Sequence, residues 1–128
     1  MKYLLDTHAL LWWLSDDPQL SQEARAIIAN PQNEIYVSAA SAWEIATKFS
    51  KGHLPTASLL LPDFSGVLHQ EGFSELMINS AHMVRSAILP GEHRDPFDRI
   101  LAAQAIIENM ALISLDGKIP SLGVMTRW

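Results

Sequence analysis

The sequence predicts a three-layer α/β/α domain with helices on both faces of a short parallel sheet. Three features carry that expectation. Short apolar or β-branched runs alternate with segments of helical periodicity along the whole chain, the pattern of parallel strands joined by helical crossovers. Two of the runs lead straight into an acid, Leu5 into Asp6 and Leu115 into Asp116; a carboxylate at the end of a buried strand lies on the edge where such folds bind ligands. No repeat, low-complexity tract or linker interrupts the chain, so residues 1–128 form a single domain of ordinary size.

The elements follow in order. Strands are expected over Lys2–Leu5, Glu34–Ser38, Ser74–Ile78 and Ala111–Leu115, with a weaker fifth near Gly123–Thr126; each is short and bounded by turn residues. Helices are expected between them. His8–Leu14 is short and apolar. Ser21–Asn30 places Ala24, Ile27 and Ile28 on one face, and Pro31 ends it. Ala39–Lys51 stops at Gly52. Pro62–Glu71 starts on proline and stops at Gly72, the usual asymmetry of helix ends. Asn79–Ile88 stops before Pro90 and Gly91. Pro96–Asn109 is the longest, with Ile100, Leu101, Ala105 and Ile106 toward the core.

Composition removes several classes of chemistry. The chain has no cysteine, which excludes disulfides, thiolate catalysis and Cys-based zinc sites. The five histidines show no HxH or HExxH spacing, and there is no GxSxG elbow, Walker loop or dinucleotide-binding glycine pattern. Only Lys2 precedes the first apolar run and Asp6 interrupts it, so neither a signal peptide nor a membrane span is expected. A cytoplasmic location fits. The net charge of −5 argues against a nucleic-acid partner unless some acids hold metal. Setting aside Asp6, Glu44, Asp98 and Asp116 leaves the chain close to neutral. Lys48, Lys51, Arg94, Arg99, Lys118 and Arg127 lie near these segments or the C-terminus in sequence, where they can form a basic rim.

The four acids share a topological logic. Asp6 and Asp116 end strands, Asp98 lies in the first turn of a helix, and Glu44 lies two turns into a helix that follows a strand. All four can meet at one sheet edge, where hard oxygen donors without cysteine suit Mg²⁺ or Mn²⁺. Each also has a local explanation. Asp6 and Thr7 are helix caps. Ser41 to Glu44 fits a capping box, and Glu44 with Lys48 is an i,i+4 pair. Asp95, Pro96 and Asp98 suit a helix start, and Asp116 with Gly117 is a turn pair. Functional weight therefore rests on convergence. The apolar residues Trp12, Trp13, Leu14 and the stretch Leu54–Leu61 are expected to form an interface with a second copy or a partner.

The segments LLDTHALLWWL, VSAASAWEIATK, LPGEHRDPFDRILAAQA and LISLDGKI stand in the order and spacing of PIN-domain proteins. More narrowly, the chain resembles the VapC toxin ribonucleases of type II toxin–antitoxin systems, over essentially its whole length. The resemblance implies a metal site of Asp6, Glu44, Asp98 and Asp116 holding one or two Mg²⁺ or Mn²⁺ ions, with Thr7, Asp95 and Ser114 around it. It implies endonucleolytic hydrolysis of RNA by metal-activated water, leaving 5′-phosphate and 3′-hydroxyl ends. It implies a homodimer and inhibition by a cognate antitoxin protein. Lys48, Lys51 and Arg99 are candidates for holding the RNA backbone. A Mg²⁺-dependent phosphatase or phosphotransfer domain also uses strand-end acids. The phosphatase, however, needs an acid where His8 stands, and a receiver-type domain needs a different order of acids. A non-catalytic PIN-like binding module is the third reading.

Overall fold

A computed structural model describes all residues, 1–128. Five strands, β1 (Lys2–Leu5), β2 (Glu34–Ser38), β3 (Ser74–Leu76), β4 (Ala111–Ile113) and β5 (Thr126–Arg127), form one sheet in the order β3-β2-β1-β4-β5. Every pairing is parallel. Six helices accompany them: α1 (Thr7–Leu14), α2 (Gln22–Ala29), α3 (Ala39–Ser50), α4 (Phe64–Gln70), α5 (Ser80–Ile88) and α6 (Pro96–Ile107). The three-layer α/β/α expectation holds.

Alternation along the strands explains the layers. Successive side chains point to opposite faces. Tyr3, Leu5, Ile35, Val37, Ala111 and Ile113 join one buried cluster with Leu10, Ile27, Ile28, Ile45 and Leu68. Leu4 and Leu112 face the other way, into a cluster with Leu101, Ala102, Ala105, Ile119 and Leu122. Both faces are dry, as a parallel sheet requires. α6 lies on the second face through small residues, which lets its backbone approach the sheet.

Several boundaries differ from expectation. β3 ends at Leu76 and β4 at Ile113, two residues early in each case, because the chain turns toward the sheet edge. At β4 the turn is local: the Ser114 hydroxyl accepts the Asp116 backbone N–H at 3.1 Å. β5 falls at Thr126–Arg127, slightly beyond the expected place. The segment Pro62–Glu71 is split, with a 3₁₀ turn over Leu61–Asp63 and α-helix only from Phe64, where the Asp63 side chain caps Gly66 N. Further 3₁₀ turns at Pro55–Leu59 and Ile119–Leu122 carry no strong periodic signal. The capping box at Ser41 is not formed. Ser38 is the N-cap of α3 and accepts from Ala40 N, which leaves Ser41 buried inside the helix.

The expected apolar interface is also revised. Ala57 and Leu60 are buried, and Trp12, Trp13, Leu14, Leu54 and Leu61 pack against the first core cluster. Trp13 Nε1 donates to Glu71 at 2.7 Å, and the Trp12 ring stacks edge-on to Trp128. Of the two stretches only Leu59 is a large hydrophobic side chain left in solvent. The 3₁₀ turn at Pro55–Leu59 folds the stretch back on the domain, which periodicity alone does not reveal.

Candidate active site

The strand order runs outward from β1 to β3 and then resumes on the other side of β1 with β4. The sheet thus has a switch point between β1 and β4, where parallel α/β folds open a crevice beyond the strand ends. Asp6 follows β1, and its backbone N–H bonds to Ile113 O at the end of β4. Asp116 follows β4 by a short turn. Glu44 reaches the crevice from α3 and Asp98 from the first turn of α6. The rings of Trp43 and Phe97, 5.3 Å apart, tie those two helices together. A cleft of about 300 Å³ results, lined by Asp6, Glu44, Asp98 and Asp116 together with Thr7 and Lys48. Asp95, His8 and Trp12 also face it.

Each acid is held by a distinct device. Asp6 is buried and caps α1 by accepting Ala9 N–H at 2.7 Å. Burial raises its pKa, partly opposed by the Ser114 hydroxyl and the Ala9 amide, while nearby Glu44 adds to the rise. Glu44 is buried with both oxygens engaged: Thr7 Oγ1 donates to Oε1 at 2.7 Å, and Lys48 Nζ lies 2.8 Å from Oε2. Thr7 has one proton, so Ser41, 3.0 Å from Thr7 Oγ1, must donate to it. Asp98 is pushed up to about 6, first by burial and then by the neighbouring charges of Asp95 and Asp116, against a hydrogen bond from His93. Asp116 also accepts Lys118 N–H in its turn.

The tightest group of donors lies at the edge of the cleft, where two of its acids meet a residue from the neighbouring depression that motif spacing passes over. His93 Nε2 lies 2.7 Å from Asp98 Oδ2 and 3.7 Å from Asp116 Oδ2. One donor atom from each of the three residues falls within 4.8 Å of the others. Asp6 and Glu44 line the same cleft but stand outside this group. The sequence signal for His93 is only its place before Arg94 and Asp95, since its partners lie in a helix and a later turn.

Of the residues expected around the acids, Thr7, Asp95 and Lys48 line the cleft. Asp95 caps α6, accepting from Phe97 N at 2.9 Å and Asp98 N at 3.4 Å. Ser114 is buried between the ends of β1 and β4. Lys51 lies beyond α3, exposed, and does not line the cleft. The Arg99 guanidinium is engaged within the chain: Nε donates to Ser86 O at 2.9 Å, and the two terminal nitrogens donate to His93 O at 2.9 Å and Leu89 O at 2.6 Å. Its guanidinium is a staple for the Leu89–Asp95 loop. Arg127, whose carbonyl accepts Ser114 N–H at 3.1 Å, has its side chain paired with Glu23.

Thr7 joins the two sides of the cleft, so its loss has a definite expected result. Thr7→Val leaves Glu44 Oε1 and Ser41 without their shared partner and should cost about 1–3 kcal/mol. Thr7→Ser should restore most of it. Urea denaturation of the three proteins measures the difference.

The fold and cleft define an α/β domain with a carboxylate-lined crevice at the switch point of a parallel sheet. The chain belongs to the PIN-domain family, whose model matches residues 3–124. Ribonuclease VapC16 of Mycobacterium tuberculosis (strain ATCC 25618 / H37Rv) is 38% identical over 60 residues, a match spanning 47% of this chain and 43% of that protein. Among solved structures, VapBC2 from Rickettsia felis, bound to a DNA fragment from its promoter, superposes with a TM-score of 0.74 at 17% identity, covering 99% of this chain and 98% of that one. VapBC-1 from nontypeable Haemophilus influenzae gives 0.64 at 17% identity, covering 99% and 97%. At those identities the likeness is one of fold.

Proposed function

We propose that this protein is a divalent-metal-dependent endoribonuclease, the toxin of a type II toxin–antitoxin pair. The observation that carries the reading is the convergence of Asp6, Glu44, Asp98 and Asp116 on one cleft from four separate elements. The partial match to a ribonuclease and the fold shared with VapBC complexes support it. An antitoxin protein as partner, and a homodimer as the working form, follow from the same family reading. No helix is long and apolar enough to cross a membrane, in keeping with partners that are RNA and protein.

The donor set fits a hard divalent cation, Mg²⁺ or Mn²⁺. It is rich in carboxylates, contains no sulfur, and includes buried acids whose protonation equilibria are already displaced by the cost of charging them. Asp98 and Asp116 would hold the ion most directly, with Asp6 lining the same cleft. Held by these residues, a divalent ion would supply a lowered pKa for water and neutralisation of charge on the scissile phosphate. The chain's own residues do the positioning. Ser114 and the Ala9 amide orient Asp6. Thr7 and Lys48 hold Glu44, and the Lys48 ammonium at the cleft wall would also meet a phosphate oxygen. Beyond His93, Arg94 and Lys118 line a second depression, which makes them better candidates than Arg99 or Lys51 for the RNA backbone.

The test is cleavage of a structured RNA by the purified protein. The expected result is cutting with Mn²⁺ or Mg²⁺ that EDTA stops, with 5′-phosphate ends on the products. Cutting that survives EDTA, or products with 2′,3′-cyclic phosphate, would remove the metal-hydrolysis reading. Metal-dependent binding of RNA without cutting would favour the non-catalytic module instead.

A further inference from the structure

We propose that His93 is a nitrogen ligand to the divalent ion of this cleft, on the side of Asp98 and Asp116, and that it biases the site toward Mn²⁺ over Mg²⁺. The inference rests on the metal-dependent reading above and adds a donor that the four-acid set does not contain. Geometry is its first support. Two ligands at right angles, each a little over 2 Å from an ion, stand about 3 Å apart. His93 Nε2 lies 2.7 Å from one carboxylate oxygen and 3.7 Å from the other, spacings that bracket this value. All three donors fall within one small sphere.

The second support is that the imidazole is placed by structure around it, not by its contact with Asp98. Arg99 grips the carbonyls of Ser86, Leu89 and His93 itself. Gly91, at φ +94°, lies so close to the Ile119–Leu122 turn that a Cβ would come within 2.8 Å of Ser121 O; only glycine fits there. The loop is therefore anchored at several backbone points, and the His93 side chain is only 11% exposed. Chemistry supplies the third support. Carboxylates alone suit Mg²⁺, whereas imidazole is a donor that first-row transition ions accept more readily.

The competing role is a hydrogen bond from His93 to Asp98 with no direct bond to metal. Pulsed EPR of Mn²⁺ separates the two, because a coordinated imidazole gives ¹⁴N coupling. The metal-stripped full-length protein, His93→Gln, His93→Ala and His8→Gln would each be loaded with less than one equivalent of Mn²⁺. Mg²⁺ competition would be measured in parallel. Nitrogen coupling is expected in the parent and in His8→Gln and should vanish in both His93 variants. Mn²⁺ affinity should fall roughly tenfold or more in those variants, while Mg²⁺ affinity changes by less than about threefold. The metal-free variants should melt near the parent, since the loop is held through its backbone. Bound Mn²⁺ without nitrogen coupling, coupling that survives in the His93 variants, or equal losses for both ions would overturn the proposal while leaving the metal-dependent reading standing. Failure of the parent to bind Mn²⁺ at all would overturn both.

Discussion

Asp98→Asn is expected to yield a folded protein that no longer cuts RNA. Loss of a principal metal ligand removes several kcal/mol of charge stabilisation in the transition state, a fall of roughly 10³-fold or more in rate. The metal-free variant should be firmer than the parent at neutral pH. Asp98 has a folded-state pKa of about 6 against 3.8 for the free side chain. A group whose pKa is raised by folding contributes stability that is fully present below the unfolded value and lost as pH rises through the folded one. Between about pH 4 and 6 the metal-free parent should therefore lose stability that Asp98→Asn does not. Allowing for partial exposure and screening, the gap at pH 7 is about 1–2 kcal/mol. Asp6, also raised, is present in both proteins, so its own loss falls on both and leaves the gap unchanged. Asp95→Asn is the control. Asn caps as well as Asp, so this variant should keep most of its activity and its melting temperature. Thermal melts from pH 4 to 8 in EDTA, beside RNA cleavage in Mn²⁺, measure both effects. An active Asp98→Asn would show that the metal is held elsewhere.

Arg99→Met is expected to lose both stability and activity. The guanidinium makes three charge-assisted bonds to backbone carbonyls, and leaving those carbonyls unpaired should cost about 2–4 kcal/mol. The same loss frees the loop that carries His93 over Asp98 and Asp116, so cleavage should fall further than destabilisation alone explains. Arg99→Lys should rescue little, because a point ammonium cannot fork to three acceptors. An arginine that only touched RNA would behave differently. Its loss would leave the melt unchanged, weaken RNA binding, and reduce the salt slope by about one phosphate contact. Denaturation curves and RNA binding at several salt concentrations distinguish the two.

Much of the fold was legible because local and global preferences agree in the central elements. β1 is an apolar run of Tyr3, Leu4 and Leu5, β2 carries the β-branched Ile35 and Val37, both end abruptly, and the structure gives them the expected bounds. The start of α6 is marked by Asp95, Pro96 and Asp98 acting together. The candidate site was legible for a different reason. Strand-end acids and first-turn acids share an edge in any parallel α/β sheet, which groups Asp6, Asp98 and Asp116, while Glu44 reaches the same cleft from farther along α3. What escaped was set by tertiary contact. Arg99 sits beside the site in sequence, yet the nearest acceptors for its guanidinium are the carbonyls of a loop that no periodicity describes. His93 belongs to that loop. Leu54–Leu61 looked like spare apolar surface because its 3₁₀ turn, which buries Ala57 and Leu60, leaves no repeating pattern. At Asp6 a capping role does not exclude a place at the cleft, since it caps α1 and faces the cleft with the same carboxylate.

Anomalous diffraction from crystals soaked in millimolar Mn²⁺ tests the shared metal site most directly. The expected result is a peak in the cleft within coordination distance, about 2.0–2.4 Å, of carboxylate oxygens from Asp98 and Asp116, with Asp6 bound directly or through water. The peak should be absent from Asp98→Asn crystals soaked in the same way. A parent crystal with no anomalous density between Asp6 and Asp116, or with Mn²⁺ only on surface acids outside the cleft, would contradict the assignment of these acids as a metal site.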